Sequence, residues 1–103
     1  MKLHDAKRVA IIIEAPMQRR LTEAMERAGV TGYSVLKVQA GSGQSGRWSA
    51  DAAVGKAGGL VQVVCVVRQD GLDELIEHAF PLVQRHIGII TVTDCQVLRP
   101  ERF

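Results

Sequence analysis

Gly41-Ser42-Gly43-Gln44-Ser45-Gly46-Arg47 brings together flexible backbone amides, small hydroxyls and one guanidinium, the groups that can surround the oxygens of a phosphate or carboxylate. Glycine–serine stretches also serve as plain linkers, so composition alone leaves anion binding and passive connection both open. Trp48, the single tryptophan, follows Arg47 directly. It either packs on the backbone around it or anchors a partner, since Trp and Arg are common interface anchors. Lys56 is a second cation in the same stretch, read as solvated.

A second group is His86-Ile87-Gly88, a turn that either presses backbone amides towards a neighbouring subunit or simply caps a helix, with His86 against the helix end. Arg99 and Arg102 in the tail either close over a phosphate or stay in water. Catalysis finds little support. His4, His78 and His86 fit no metal spacing, no nucleophile–base set is implied, and Glu14 reads as a solvent-facing or subunit-contact carboxylate. Cys65 and Cys95 each sit within an apolar run and read as small buried hydrophobes, not as redox or metal groups.

The elements that must position these groups are legible from periodicity. Val9–Ile13 is a short β-branched run, and Pro16 suits the first turn of a helix after it. Met17, Leu21, Ala24, Met25 and Ala28 form one helical face, with Gln18, Arg19, Arg20, Glu23, Glu26 and Arg27 opposite and Gly29 as the stop. Tyr33–Val38 reads as a second strand, and Leu60–Val67 as a third, too continuously apolar to have a face in water. Between them, residues 40–59 form a 20-residue stretch with six glycines and no aliphatic periodicity. So long a structureless connection in a small domain is usually functional. Asp70 is expected to cap a second helix that buries Leu72, Leu75, Ile76, Ala79 and Phe80 and that Pro81 kinks or ends early. Ile89–Val97 is the fourth strand.

The order is βαβ, insert, βαβ, the second half echoing the first about fifty residues later. Such units fold as an α+β ferredoxin-like βαββαβ sandwich, four antiparallel strands with two helices on one face. Strands one, three and four read as apolar on both faces, so the face without helices calls for a second copy of the chain.

With 103 residues, 47% of them hydrophobic, the chain has the size of one domain, 1–103. Its formal charge of +2 is too small for an electrostatic nucleic-acid binder, and it lacks the aromatics of a ferredoxin-like RNA reader. MKLHDAKR precedes only five apolar residues, far from a secretory or membrane segment, so a cytoplasmic protein is the expectation.

The segment 21–35, LTEAMERAGVTGYSV, continuing without a gap through Gly46, resembles the first helix and second strand of the PII signal-transduction family. Val66-Val67 before Asp70 and the His86-Ile87-Gly88 turn look like that family's third strand and B-loop. The resemblance implies a homotrimer whose clefts bind adenine nucleotides at the base of a long T-loop, here about 41–58. By the same resemblance Ser34 and Val66 would face the adenine, Ser42, Gly43 and Gln44 would form the T-loop base, Gly88 would offer an amide to phosphate, and Arg99 would reach the phosphates. Two departures stand out. The B-loop lacks the family's Asp-Gly-Lys, which favours ADP or AMP over ATP, and the loop has no tyrosine to accept uridylylation. The shortened loops look like the branch linked to bicarbonate transport and carboxysomes. Bicarbonate would then be held by Arg47 with Gly41 and Gly46, and Trp48 would meet an unidentified protein or membrane-transporter target. This implies a non-enzymatic sensor without a resident cofactor or metal, signalling inorganic-carbon or energy status through loop ordering. A metal-responsive trimer of the CutA kind, or a small enzyme, is the alternative.

Overall fold

The computed structural model describes residues 1–43, 46–49 and 59–102, the segment 46–49 by its backbone alone. Strand β1 (His4–Glu14) begins well before the apolar run, because Lys7 pairs with Asp94 of the last strand and carries the ladder through a polar stretch. A single 3-10 turn, Ala15–Met17 with Pro16 near its start, leads into α1 (Gln18–Arg27). The missing proline N–H falls where helix donors are unpaired anyway. At the other end Gly29 takes φ +94°, its N–H donates to the Glu26 carbonyl and that of Val30 to the Met25 carbonyl, both at 3.0 Å. Those two bonds satisfy the last carbonyls of the helix and fold Val30 back against the core.

Strand β2 (Ser34–Val38) follows, and its partner β5 (Leu60–Val67) has the bounds expected from its apolar run. Between them the stretch expected to be structureless pairs with itself: β3 (Ala40–Gly43) and β4 (Gly46–Ser49) form a separate two-stranded antiparallel sheet. Gly43 and Gly46 are opposite each other, leaving the two-residue connection typical of hairpins.

The second helix departs from expectation at both ends. Asp70 lies in a 3-10 turn, Gln69–Gly71, and makes no capping bond; Gly71 precedes α2 (Leu72–Gln84), with Asp73 and Glu74 in its first turn. Pro81 neither ends nor shortens α2. Glu77, whose carbonyl loses its partner, and Pro81 both lie on the exposed side, where water can satisfy the freed group. Leu75, Ala79 and Val83 are buried, whereas Phe80, expected in the buried face, is 48% exposed.

Strand β6 (Ile89–Val97) completes a four-stranded antiparallel sheet of order β2-β5-β1-β6. One face carries Val9, Ile11, Ile13, Val63 and Cys65, which close a core with Leu21, Met25, Leu75, Ala79 and Val83 of the helices. The opposite face carries Leu36, Val64, Val66, Ala10 and Ile12 beside Ser34, Gln62, Arg8, Thr91, Thr93 and Cys95. The open side of β6 runs Ile89, Thr91, Thr93, Cys95 and Val97, so two threonines interrupt the apolar face expected there.

Candidate functional site

One end of the sheet gathers the connections that carry chemistry. Val38 and Glu14 both pair with Leu60, and Ile12 pairs with Ile89, so the two roots of the 39–59 connection lie beside the turn that joins α2 to β6. The Ala15 N–H donates to the Gly59 carbonyl at 2.8 Å and ties the returning root to the end of β1. Gly59 takes φ +78°, a conformation that suits glycine.

The turn itself is held by close approach. A Cβ at Gly88 would stand 2.9 Å from the Ile12 carbonyl oxygen and 2.9 Å from Val83 Cγ1. Its N–H, expected to be offered to phosphate, donates instead to the His86 carbonyl at 2.9 Å. The His86 ring turns away from the expected contact with the helix end: its Nδ1 is 3.1 Å from Glu14 Oε2. Both side chains are largely buried, 30% exposed for His86 and 25% for Glu14. Glu14, expected to face solvent or a neighbouring subunit, therefore meets a partner within the chain. Its other oxygen, Oε1, is buried without a hydrogen-bond partner. An orphaned buried acceptor costs about 1–3 kcal/mol.

Ser34 pairs with Val64, and Val66 lies two residues further along the same open face, so these two share a surface without being opposite each other. Ser42 and Gly43 are exposed and occupy the turn end of the β3–β4 hairpin, away from its root. Gly41 pairs with the Trp48 backbone, Ser42 with Arg47 and Gly43 with Gly46. Gln44, Ser45 and Lys56 lie outside the described residues. Arg99 belongs to the opposite end of the sheet. From Ile12, opposite Ile89, to His4, opposite Val97, is about 26 Å at roughly 3.3 Å per residue, and Arg99 lies two residues beyond, with Nε 3.5 Å from Glu101 Oε1. Arg68 Nη2 donates to the Pro100 carbonyl at 3.4 Å and holds the tail there. One chain therefore does not bring Gly88 and Arg99 onto one phosphate.

Cys65 is buried on the core side, where desolvation pushes its thiol up to about 11. Cys95, also expected to be buried, is only half-buried on the open face. No group of His, Cys, Asp and Glu side chains among the described residues could hold a metal ion, and no described helix is long and apolar enough to cross a membrane. The Glu14–His86 contact is what the sequence reading missed. The two residues stand 72 positions apart, and only the β1–β6 register brings them together.

The family model described as "Nitrogen regulatory protein P-II" matches residues 6–102. No curated protein sequence matches the chain. Among solved structures, CPII, a nitrogen regulatory PII-like protein from Thiomonas intermedia bound to ADP, AMP and bicarbonate, is similar at 29% identity and a TM-score of 0.90, over 99% of this chain and 96% of that one. The apo form of CPII superposes with a TM-score of 0.71 at 27% identity, over 93% and 95% of the two chains. A protein from Thermus thermophilus described as PII-like and signalling is 26% identical, with a TM-score of 0.72 over 100% of this chain and 99% of that one.

Proposed function

The chain belongs to the nitrogen regulatory protein P-II family, and from that membership we propose that it is a cytoplasmic regulatory protein that binds adenine nucleotides, together with bicarbonate, in clefts between the subunits of a homotrimer. The observation that carries this reading is the fit of 99% of the chain, at a TM-score of 0.90, onto a PII-like protein holding ADP, AMP and bicarbonate.

The separation of Gly88 from Arg99 supports a shared cleft. If both meet one nucleotide, they come from different copies, and the partly apolar open face supplies the surface on which copies associate. In this reading Ser34 and Val66 take the adenine, residues 42–44 and Gly88 the phosphates, and Arg99 closes the cleft from the neighbouring chain. Arg47, with Gly41 and Gly46, takes bicarbonate, and Trp48 meets the target protein. The bond from Gly88 N–H to the His86 carbonyl opens when phosphate takes its place.

ADP and AMP are favoured over ATP. The turn runs from Gly88 straight into Ile89-Ile90 without a lysine, and each lost charge-assisted contact costs roughly 1.5–3 kcal/mol. The Glu14 carboxylate beside that turn adds repulsion to a third phosphate. Ligand then selects one state of the 39–59 connection through its differential affinity for the two states. Titration calorimetry of ADP, AMP and ATP, each with and without bicarbonate, tests this. The expected order is ADP and AMP ahead of ATP; no heat from any nucleotide at millimolar concentration would overturn the proposal.

A further inference from the structure

The geometry points to the Glu14–His86 pair as a proton-linked oxyanion contact: His86 binds the oxyanion through Nε2 and takes up a proton as it does so. This rests on the nucleotide and bicarbonate reading above and assigns it a residue and a linkage which that reading does not contain. Three features carry it.

First, the imidazole is held from one side only. Nδ1 is engaged by Glu14 Oε2 at 3.1 Å, while Nε2 makes no hydrogen bond among the described residues, so one ring nitrogen is fixed and the other is available. Second, the ring is pre-positioned. The next residue but one, Gly88, is pressed against the Ile12 carbonyl and Val83, leaving the turn little room to move. A fixed donor loses less conformational freedom on binding than a long exposed cation. Third, Glu14 Oε1 is buried with no partner, so Nδ1 is the one donor that this carboxylate has among the described residues.

Those features set the direction of the linkage. An oxyanion at Nε2 needs a donor there, while the carboxylate keeps its donor at Nδ1. A ring between two anions carries both protons, and the second is drawn from solvent as the oxyanion arrives. Glu14, at the end of β1, is the charged group in contact with the ring, and Arg85, its neighbour in the chain just past α2, is exposed. Because the oxyanion binds the doubly protonated ring, affinity falls as pH rises. The oxyanion is either a nucleotide phosphate or bicarbonate, which offer the same chemistry to an imidazolium.

The test is calorimetry on the full chain with ADP, adenosine and bicarbonate as separate probes, in buffers of different ionisation enthalpy, comparing the native protein with His86→Gln and Glu14→Gln. The native protein should take up protons on binding. His86→Gln should remove that uptake, flatten the pH profile and weaken oxyanion binding about tenfold or more, with adenosine unchanged. The variant supplies the ligand's own ionisation as baseline. A loss confined to ADP assigns phosphate, and a loss confined to bicarbonate assigns that ion. Glu14→Gln, which keeps a hydrogen-bonding group, should reduce the uptake and serves as the readout if His86→Gln melts below the working temperature. Equal affinity and equal proton uptake in native and variant proteins for both oxyanions would overturn the inference. A native protein that binds none of the probes would overturn the function itself.

Discussion

Ile11, Ile12 and Ile13 are the same residue type on one strand, yet Ile11 and Ile13 have no exposed surface while Ile12 between them is half-buried on the open face. The cysteines repeat the contrast: Cys65 is 4% exposed under the helices, and Cys95 lies half-buried on the opposite side. The middle of the helix-covered side is a core of aliphatic residues that a single chain supplies, while Val92 and Phe80 stay exposed at its β6 edge. The open side mixes Ile12, Val64 and Leu36 with Arg8, Gln62 and threonines, the blend of apolar and polar groups found in contacts between proteins. Folding is thus the business of one face, while the other has the composition of a contact surface.

Four measurements break or sharpen that contrast. Val64→Lys should have the largest effect, because a half-buried open-face position becomes fully desolvated when copies associate, and an unpaired ammonium there is strongly disfavoured. Light scattering should show dissociated but folded chains; an unchanged oligomer, or a native protein that is monomeric, would mean that the open face is simply solvent surface. Ile11→Ala comes next, at about 2–5 kcal/mol lost in denaturant unfolding, since the fully buried side chain leaves a cavity between sheet and helices. A loss below 1 kcal/mol would show that the core is not closed as described.

The smallest effect concerns the cysteines. Burial keeps the Cys65 thiol neutral up to about 11 against an ordinary 9.0. The unfolded thiol ionises first as pH rises, so the contribution is fully present below about pH 9 and is lost between 9 and 11, amounting to about 2–3 kcal/mol at most. Melting curves of native protein and Cys65→Ala should diverge in slope over that range. Thiol labelling of the native state near neutral pH should reach Cys95 before Cys65, and the reverse order would invert the assignment of the two faces.

The elements set by strong periodicity were legible: β5 and β6 have the bounds expected from their sequence, and Gly29 stops α1 as expected. Local rules failed where a neighbouring surface overrode them. Pro81 sits inside α2 because its lost hydrogen bond faces water, and Phe80 lies exposed although its spacing suits a buried face. The hairpin within the connection escaped notice because Ala40–Gly43 carries none of the β-branched residues that mark a strand. Of the candidate site, glycine and serine marked a stretch but not its register. Ser42 and Gly43 stand at a hairpin turn and not at its root, and Arg99 stands at the far end of the sheet. Glu14 and His86 carry no mutual signal in the chain, since their contact exists only once β1 and β6 have paired.

The pairing of Val38 with Leu60, backed by the Ala15–Gly59 bond, pins both ends of the 39–59 connection to adjacent strands. The entropy of closing a connection between fixed ends grows only with the logarithm of its length, about 0.6 kcal/mol for each doubling, so a change of length here costs the sheet little. The pinned root makes the segment the replaceable module of the molecule, free to diversify while the scaffold beneath it stays the same.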